Sequence, residues 1–232
     1  MEGDVMKVII LCGGRGMRLN ELTETIPKPL VKVQGKPILW HICNHYKKQG
    51  HNDFVFCLGY KGDLIRTMFK KYPEFNIIFV NTGADTSKTG RLLKVERYIS
   101  DDNFLLSYGD DICDVDINHL INIHQNKSAL ITLTAVPMTS DFGVLDVHWE
   151  TQQVMKFEEK PKLPYLINGG YYVCSKEIFY YIKTYGDFEK DVLPALATKG
   201  FIYAWAHDGK WKSINTLKDV VELNETRNFL AQ

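Results

Sequence analysis

A glycine-rich segment follows the first apolar run of the chain and could bind a phosphate. Residues 8–12 (VIILC) are typical of a buried strand, and residues 13–18 (GGRGMR) follow directly. Glycines let the backbone approach a ligand closely, and the N–H groups of such a turn can bind an anion. Arg18 adds a planar guanidinium suited to phosphate oxygens. The spacing fits neither the dinucleotide-binding fingerprint nor the Walker loop, so a tight turn without a ligand is the alternative.

A lysine between two prolines follows this segment. Pro27 and Pro29 restrict the backbone on both sides of Lys28. A lysine on such a rigid segment can act as a positioned positive charge. A solvated loop lysine is the alternative, and the nearby glycine-rich segment favours the first interpretation.

The composition is that of an ordinary globular chain without a global electrostatic field. Of its 232 residues, 45% are hydrophobic and 24% are charged, and 28 basic side chains balance 28 acidic ones. A net charge of zero gives no general attraction for nucleic acid or an anionic membrane, so we expect neither as a partner. Any anion must therefore be bound by a local site.

The cysteines indicate the cellular compartment, and the lack of linkers indicates the number of domains. Five irregularly spaced cysteines without a CxxC pair argue against a disulfide framework or a zinc site. Reduced thiols and the lack of any signal-like or membrane-spanning segment predict a cytoplasmic protein. No linker or repeat interrupts the chain, which predicts a single domain over residues 1–232, with residues 1–5 as a disordered polar lead.

Strands and helices alternate along the first part of the chain, which predicts a parallel sheet with helices on both faces. Shorter extended segments follow residue 136, and we expect a small additional β region there. The predicted fold class is therefore α/β, with a Rossmann-like, mostly parallel mixed sheet. Ligands bind beyond the carboxyl ends of strands in such sheets, which places the chemistry after Cys12, Tyr108 and Phe157. The predicted strands are 8–12, 54–58, 77–80, 104–108, 129–136, 144–149, 154–157 and 170–174, and the predicted helices are 37–49, 61–71, 91–99, 117–125, 176–183, 189–199 and 217–230.

Several short motifs, in order along the chain, resemble the signature of the sugar-phosphate nucleotidyltransferases. They are residues 11–19 (LCGGRGMRL), 27–29 (PKP), 35–38 (GKPI), 108–110 (YGD), 158–161 (EEKP) and 168–170 (NGG). Within that family, residues 37–42 (PILWHI), 59–62 (GYKG), 81–83 (NTG) and 89–91 (TGR) are similar to glucose-1-phosphate cytidylyltransferases. The resemblance implies that CTP and a sugar 1-phosphate react to give a CDP-sugar and pyrophosphate, a product that usually serves polysaccharide synthesis.

The resemblance also implies roles for individual residues. Arg18 would hold the β- and γ-phosphates, Lys28 the α-phosphate and Asp110 a magnesium ion, and these three would be catalytic. Lys160 would neutralise the acceptor phosphate, whose attacking oxygen needs no protein base because it is already deprotonated at neutral pH. The nucleotide would contact Leu11, Cys12, Gly13, Gly14, Arg15, Gly16, Met17, Arg18, Lys28, Thr86, Gly90 and Arg91, and the sugar would lie near Glu159, Asn168 and Gly169.

Asp110 has two interpretations. Hard cations such as magnesium prefer oxygen ligands, and an aspartate just after a strand is well placed to supply one. Aspartate is also a common turn residue that hydrogen-bonds locally. The order of the motifs favours the metal, whereas the neighbouring Asp111 and Asp114 do not fall on the family's position.

Two features depart from the family's pattern. Asn215 stands where the family has a second aspartate; its amide oxygen could coordinate magnesium without the charge, or Asp219 or a water could compensate. The stretch between Phe69 and Asn81 lacks an insertion that contributes to assembly in glucose-1-phosphate cytidylyltransferases, which leaves homo-oligomer formation open and favours a different acceptor. The alternatives are therefore another base (GTP, UTP or dTTP), another acceptor (a heptose phosphate or a phosphorylated non-sugar), and a nucleotide-binding regulator without turnover.

Overall fold

The computed structural model describes residues 5–16, 25–184, 186–226 and 229. Met17 and Arg18 of the glycine-rich segment, and residues 1–4 of the expected lead, lie outside these ranges. The strands are β1 (Val8–Leu11), β2 (Lys32–Val33), β3 (Lys36–Pro37), β4 (Asp53–Leu58), β5 (Asn76–Asn81), β6 (Asn103–Tyr108), β7 (Asp111–Cys113), β8 (Ile131–Thr139), β9 (Val144–His148), β10 (Gln153–Glu158), β11 (Lys162–Ser175), β12 (Ile202–Ala206) and β13 (Trp211–Ser213). The helices are α1 (Ile38–Lys48), α2 (Gly62–Phe69), α3 (Lys88–Val95), α4 (Ile117–Lys127), α5 (Ile178–Thr184), α6 (Leu193–Thr198) and α7 (Leu217–Glu225), with 3-10 turns at Lys28–Leu30 and Glu96–Tyr98 and a π-helix at Phe188–Val192.

A seven-stranded sheet forms the centre of the molecule. Its strand order is β12-β8-β11-β6-β1-β4-β5. The neighbours β6, β1, β4 and β5 run parallel, with Val8 of β1 opposite Phe54 on one side and Leu105 on the other. Strand β11 is antiparallel to both β6 and β8, while β12 runs parallel to β8. The predicted mostly parallel mixed sheet is confirmed.

Helices cover both faces of this sheet because its central strands are apolar on both sides. Val8 and Ile10 of β1 pack in one core cluster, and Ile9 between them packs in the other. Helices α1, α2, α4 and α7 contribute buried residues to the first cluster. Helices α3, α5 and α6, together with the π-helix, contribute to the second. The alternation of side chains along β1 therefore fixes the two layers of helices.

Three two-stranded sheets lie outside the main sheet. They pair β9 with β10, β7 with β13, and β2 with β3, each antiparallel. The β7–β13 ribbon starts at Asp111, just after β6 ends at Tyr108. It therefore lies at the carboxyl end of a central strand, where a ligand site is expected.

Three predicted elements differ most from those observed, and the observed strands β2, β3, β7, β12 and β13 were not predicted. Helix α3 starts at Lys88 rather than at 91, because the Ser87 hydroxyl accepts a hydrogen bond from the Gly90 N–H and caps the helix. The helix predicted over 189–199 is divided into the π-helix and α6, with a proline in the first turn of α6. The strand predicted at 170–174 is the end of the 14-residue strand β11.

The helices of the described ranges are too short or too polar to cross a membrane.

Candidate active site

A cavity of about 860 Å³ opens at the carboxyl ends of β1 and β6. Its walls come from the glycine-rich segment, the 3-10 turn at Lys28–Leu30, the start of α3 and the β7–β13 ribbon. Of the residues that the resemblance assigns to a site, the cavity is lined by Leu11, Cys12, Gly13, Gly14, Gly16, Lys28, Thr86, Arg91, Asp110, Asn168 and Asn215. The structure thus brings together residues from both halves of the chain.

The glycine-rich segment is held in place by Arg91. The buried guanidinium donates hydrogen bonds to the Gly13 carbonyl oxygen at 2.9 Å and to the Thr82 hydroxyl at 2.7 Å. It also donates to the carbonyl oxygens of Leu58, at 3.3 Å, and Ala84, at 3.1 Å. Burial lowers the pKa of Arg91 from its ordinary value. Arg91 lines the cavity, and its hydrogen bonds to the chain position the three loops around the cavity. Its predicted contact with the nucleotide stays a prediction.

Two further glycines make this close packing possible. A Cβ atom on Gly59 would lie 2.4 Å from the Gly13 carbonyl oxygen, and the next residue, Tyr60, donates its backbone N–H to that oxygen at 3.0 Å. The Gly109 N–H donates to the Leu11 carbonyl oxygen at 3.1 Å. Neither glycine was assigned a role from the sequence, although each directly follows a central strand. Glycine just after a strand was the signal that could have identified them.

Lys28 lies on the floor of the cavity. Its side chain is buried, and its Nζ atom lies 2.6 Å from Asp110 Oδ2 and 3.1 Å from Asn215 Oδ1. The 3-10 turn that carries it begins after Pro27, and Pro29 lies in its first turn. The rigid segment predicted from the two prolines thus holds a charged group against two predicted metal ligands.

Asp110 and Asp111 reach the cavity from the junction of β6 with the β7–β13 ribbon. The Asp110 carbonyl oxygen accepts the Ile214 N–H at 3.0 Å, and Asp111 pairs with Ser213 across the ribbon. Asp111 lines the cavity and is only 5% exposed. Burial, and then the negative charge of Asp110, raise the pKa of Asp111 to about 7. The sequence interpretation set Asp111 aside, and its burial was not visible there.

The oxygen atoms at this place fit a hard divalent cation. Asp110 and Asp111 supply carboxylates and Asn215 supplies an amide oxygen within the same cavity, which is the ligand chemistry that magnesium prefers. Asp114 does not line the cavity. Its Oδ1 atom accepts hydrogen bonds from His207 Nε2 and from the Lys210 N–H, each at 2.8 Å.

A hydrogen-bonded chain of side chains forms another wall. The Asn168 amide donates to the Tyr172 hydroxyl, which donates to the Tyr108 hydroxyl at 2.7 Å. Tyr108 in turn donates to Glu189 Oε1 at 2.6 Å, and Lys88 forms an ion pair with the same carboxylate. Burial raises the pKa of Tyr108 and of Tyr172 above the ordinary tyrosine value, so both stay protonated donors. Lys88 also lines the cavity, and its place at the start of a capped helix was the missed signal.

Five predicted site residues do not line the cavity among the residues that the structure describes. Gly90 lies within α3, and Arg15 pairs with Asp85 at 2.9 Å on the exposed surface. Glu159 and Lys160 follow the exposed strand β10 and are exposed themselves. Gly169 is buried, and its carbonyl oxygen accepts the indole N–H of Trp211, which does line the cavity, at 2.8 Å.

Fold and site together define a nucleotidyltransferase. The family model described as nucleotidyl transferase matches residues 7–228, and the chain belongs to that family. It is an enzyme of that class, as the resemblance in the motifs implied.

Two relatives and one solved structure show which nucleotidyltransferases the chain is similar to. The chain is 40% identical, over an alignment 247 positions long, to a probable glucose-1-phosphate cytidylyltransferase of Bacillus subtilis (strain 168), with 96% of each chain covered. It is 37% identical over 244 residues to a glucose-1-phosphate cytidylyltransferase of Salmonella typhi, with 94% of each covered. A crystal structure of HddC from Yersinia pseudotuberculosis complexed with GMP-PN has a TM-score of 0.72 at 26% identity, covering 95% of this chain and 98% of that one.

Proposed function

We propose that this protein transfers a cytidylyl group from CTP to a sugar 1-phosphate, with release of pyrophosphate. The relatives named as glucose-1-phosphate cytidylyltransferases match nearly the whole chain and support CTP and glucose 1-phosphate as the first substrates to test. The observation that carries the proposal is the ion pair between Lys28 and Asp110, with 2.6 Å between Nζ and Oδ2. It lies in the cavity that the glycine-rich segment also lines.

The glycine-rich segment would receive the triphosphate. Gly13, Gly14 and Gly16 line the cavity, and their small size lets phosphate oxygens approach the backbone. Arg91 would keep these loops in place through the Gly13 carbonyl oxygen. Arg18 stays the predicted contact of the β- and γ-phosphates.

Lys28 would stabilise charge at the α-phosphorus, where the acceptor oxygen attacks in line. Positioning and charge neutralisation provide most of the catalysis in phosphoryl transfer. Lys28 is buried and has carboxylate and amide partners, so its ammonium group is held in one place before substrate arrives. A fixed charge requires little reorganisation during the reaction.

Asp110 would hold magnesium, as the resemblance implies, and the amide oxygen of Asn215 would be a weaker ligand without charge. When bound, the ion neutralises charge on the triphosphate. The acceptor sugar would lie near Asn168 and Gly169, and its phosphate near a cation. Lys160 is the cation predicted for it, and Lys88 is a further cation that the structure places at the cavity.

The remaining expectations stay proposals. We infer a cytoplasmic enzyme, since CTP is made in the cytoplasm and the five cysteines are free thiols. A single domain over residues 1–232 stays a prediction. Homo-oligomer formation is supported by the exposed apolar side chains of Phe142, Trp149 and Phe157, since such patches often mark interfaces.

The test is pyrophosphate release with a panel of substrates. CTP, UTP, GTP and dTTP are each combined with glucose 1-phosphate, a heptose 1-phosphate or a phosphorylated non-sugar, at saturating magnesium. We expect release with CTP and a sugar 1-phosphate, and none without an acceptor. CTP binding without pyrophosphate release would indicate a nucleotide-binding regulator instead of an enzyme. Faster release with another triphosphate would identify that triphosphate, and not CTP, as the substrate.

A matched pair of lysine variants ties the assay to the site. Lys28→Met should lower turnover about 100- to 1,000-fold, the usual effect of removing one group that stabilises charge in the transition state. Lys32→Met, at an exposed lysine on the nearby strand β2, should leave turnover unchanged. Equal turnover in the two variants would exclude Lys28 from the reaction, provided that circular dichroism shows both folded.

A further inference from the structure

We propose that Asp111 is the second carboxylate of the metal site and supplies the negative charge that Asn215 lacks. The proposal rests on the proposed function, because it assigns a residue to the metal site of that reaction. The resemblance implies an aspartate at the position of Asn215, so one charge is missing from the implied ligand set. The structure places another carboxylate in the same cavity.

The backbone brings Asp111 to the correct place. Asp111 begins β7 and pairs with Ser213 of β13, two residues before Asn215. Asp110, immediately before it, accepts the Ile214 N–H through its carbonyl oxygen. Asp111 thus lies on the ribbon, Asp110 directly precedes it and Asn215 follows it by two residues, and all three line one cavity.

Asn215 is already used by other groups. Its amide oxygen accepts a hydrogen bond from Lys28 at 3.1 Å, and its amide nitrogen donates to the Ser213 hydroxyl at 2.9 Å. The side chain is thus oriented as a partner of Lys28. A neutral oxygen shared with an ammonium group is a weak ligand for a hard dication.

Both lysines that line the cavity form their ion pairs with carboxylates other than Asp111. Lys28 pairs with Asp110, and Lys88 pairs with Glu189. Within the described part of the chain, no ion pair within 4 Å includes Asp111. A carboxylate that is 5% exposed requires compensation when charged, and a divalent ion held jointly with Asp110 provides it.

The neighbouring strand leaves room for this carboxylate. Gly170 of β11 has a φ of +79°, and a Cβ atom there would lie 2.2 Å from Asp111 Oδ2. Any larger residue would displace the carboxylate from its present position. Gly170 therefore admits Asp111 to the cavity wall.

The test measures metal binding without turnover. Mn²⁺ replaces magnesium, and electron paramagnetic resonance measures free Mn²⁺ in titrations of the protein without nucleotide. Asp111→Asn should weaken Mn²⁺ binding at least about tenfold, since affinity for such cations follows the number of charged oxygen ligands. The double variant Asp111→Asn with Asn215→Asp moves the carboxylate to the family's position and should restore binding to within about threefold.

A control variant separates this effect from general disturbance of the ribbon. Ile112→Val alters a buried apolar side chain of β7 that does not line the cavity, and it should leave Mn²⁺ affinity unchanged. Unchanged affinity in a folded Asp111→Asn protein would overturn the proposal. So would a double variant that stays as weak as Asp111→Asn, because Asp111 would then be a hydrogen-bonding or acceptor-binding residue.

A second measurement serves if Asp111→Asn does not fold. An anomalous-scattering map of wild-type crystals grown with Mn²⁺ and CTP should place the ion within about 2.6 Å of carboxylate oxygens from both Asp110 and Asp111. An ion held by Asp110 without Asp111 would overturn the proposal. Pyrophosphate release by the wild type tests the proposed function separately, since Mn²⁺ affinity can depend on Asp111 whether or not release occurs.

Discussion

Replacement of Gly13 by alanine tests the close packing beneath the glycine-rich segment. A Cβ atom on residue 13 would lie 2.0 Å from Arg91 Nη1 and 2.8 Å from the Gly59 backbone nitrogen. Ordinary contact begins near 3.4 Å, so Arg91 and the loop must separate by about 1.4 Å. The hydrogen bond from Arg91 to the Gly13 carbonyl oxygen, now 2.9 Å, would break.

The expected loss of stability follows from two effects. Overpacking costs about 1–3 kcal/mol, and loss of a hydrogen bond to a charged donor costs about 1.5–3 kcal/mol. We therefore expect Gly13→Ala to lower the free energy of unfolding by about 2.5–6 kcal/mol, equivalent to a fall in Tm of roughly 5–24 °C. A displaced loop should also reduce turnover by about 100-fold.

Gly14→Ala is the matched control for this substitution. A Cβ atom on residue 14 would meet nothing within 4 Å, so its unfolding free energy should stay within about 0.5 kcal/mol of wild type. Urea denaturation followed by circular dichroism measures both variants. Equal stability of the two would refute the role assigned to Arg91 as the residue that fixes the loop.

Two further predictions concern the acceptor wall and the pH dependence of stability. Trp211→Phe removes the indole donor to the Gly169 carbonyl oxygen. The Michaelis constant for the sugar phosphate should then rise roughly fivefold, about 1 kcal/mol, and the Michaelis constant for CTP should stay unchanged. An equal rise for both substrates would contradict this prediction. His124 is buried beside Thr132, and burial lowers its pKa to about 4. In the unfolded chain His124 takes up a proton near pH 6.5, whereas in the folded chain it does so only near pH 4. The free energy of unfolding should therefore fall by up to about 3 kcal/mol as the pH drops from 6.5 to 4. His124→Gln should flatten that part of the profile, and an unchanged slope in urea denaturation at several pH values would count against it.

The sequence assigns Gly13, Gly14 and Lys28 to one site from local patterns, and the structure has all three line one cavity. The conformational effect of glycines after an apolar run, and of prolines on both sides of a lysine, does not depend on where the strand lies in the sheet. The contact between Lys28 and Asp110 joins residues 82 positions apart. It could be expected because β1 and β6 are parallel neighbours whose carboxyl ends meet at one edge.

Burial and register were beyond reach from the sequence. The hydrogen bonds of Arg91 to three loops could not be predicted, because only the fold brings these loops around it. Asp111 differs from Asp114 because the pairing of Asp111 with Ser213 places it at the cavity. Lys160 belongs to a recognisable motif, yet a motif gives no distance from the end of an exposed strand to the cavity.

The most direct test is a crystal structure with magnesium and a non-hydrolysable CTP analogue. The proposed function predicts the triphosphate along Gly13–Gly16 and an α-phosphate oxygen within about 3.2 Å of Lys28 Nζ. A triphosphate bound away from this segment, or Lys28 still paired with Asp110 and out of reach of any phosphate, would contradict it.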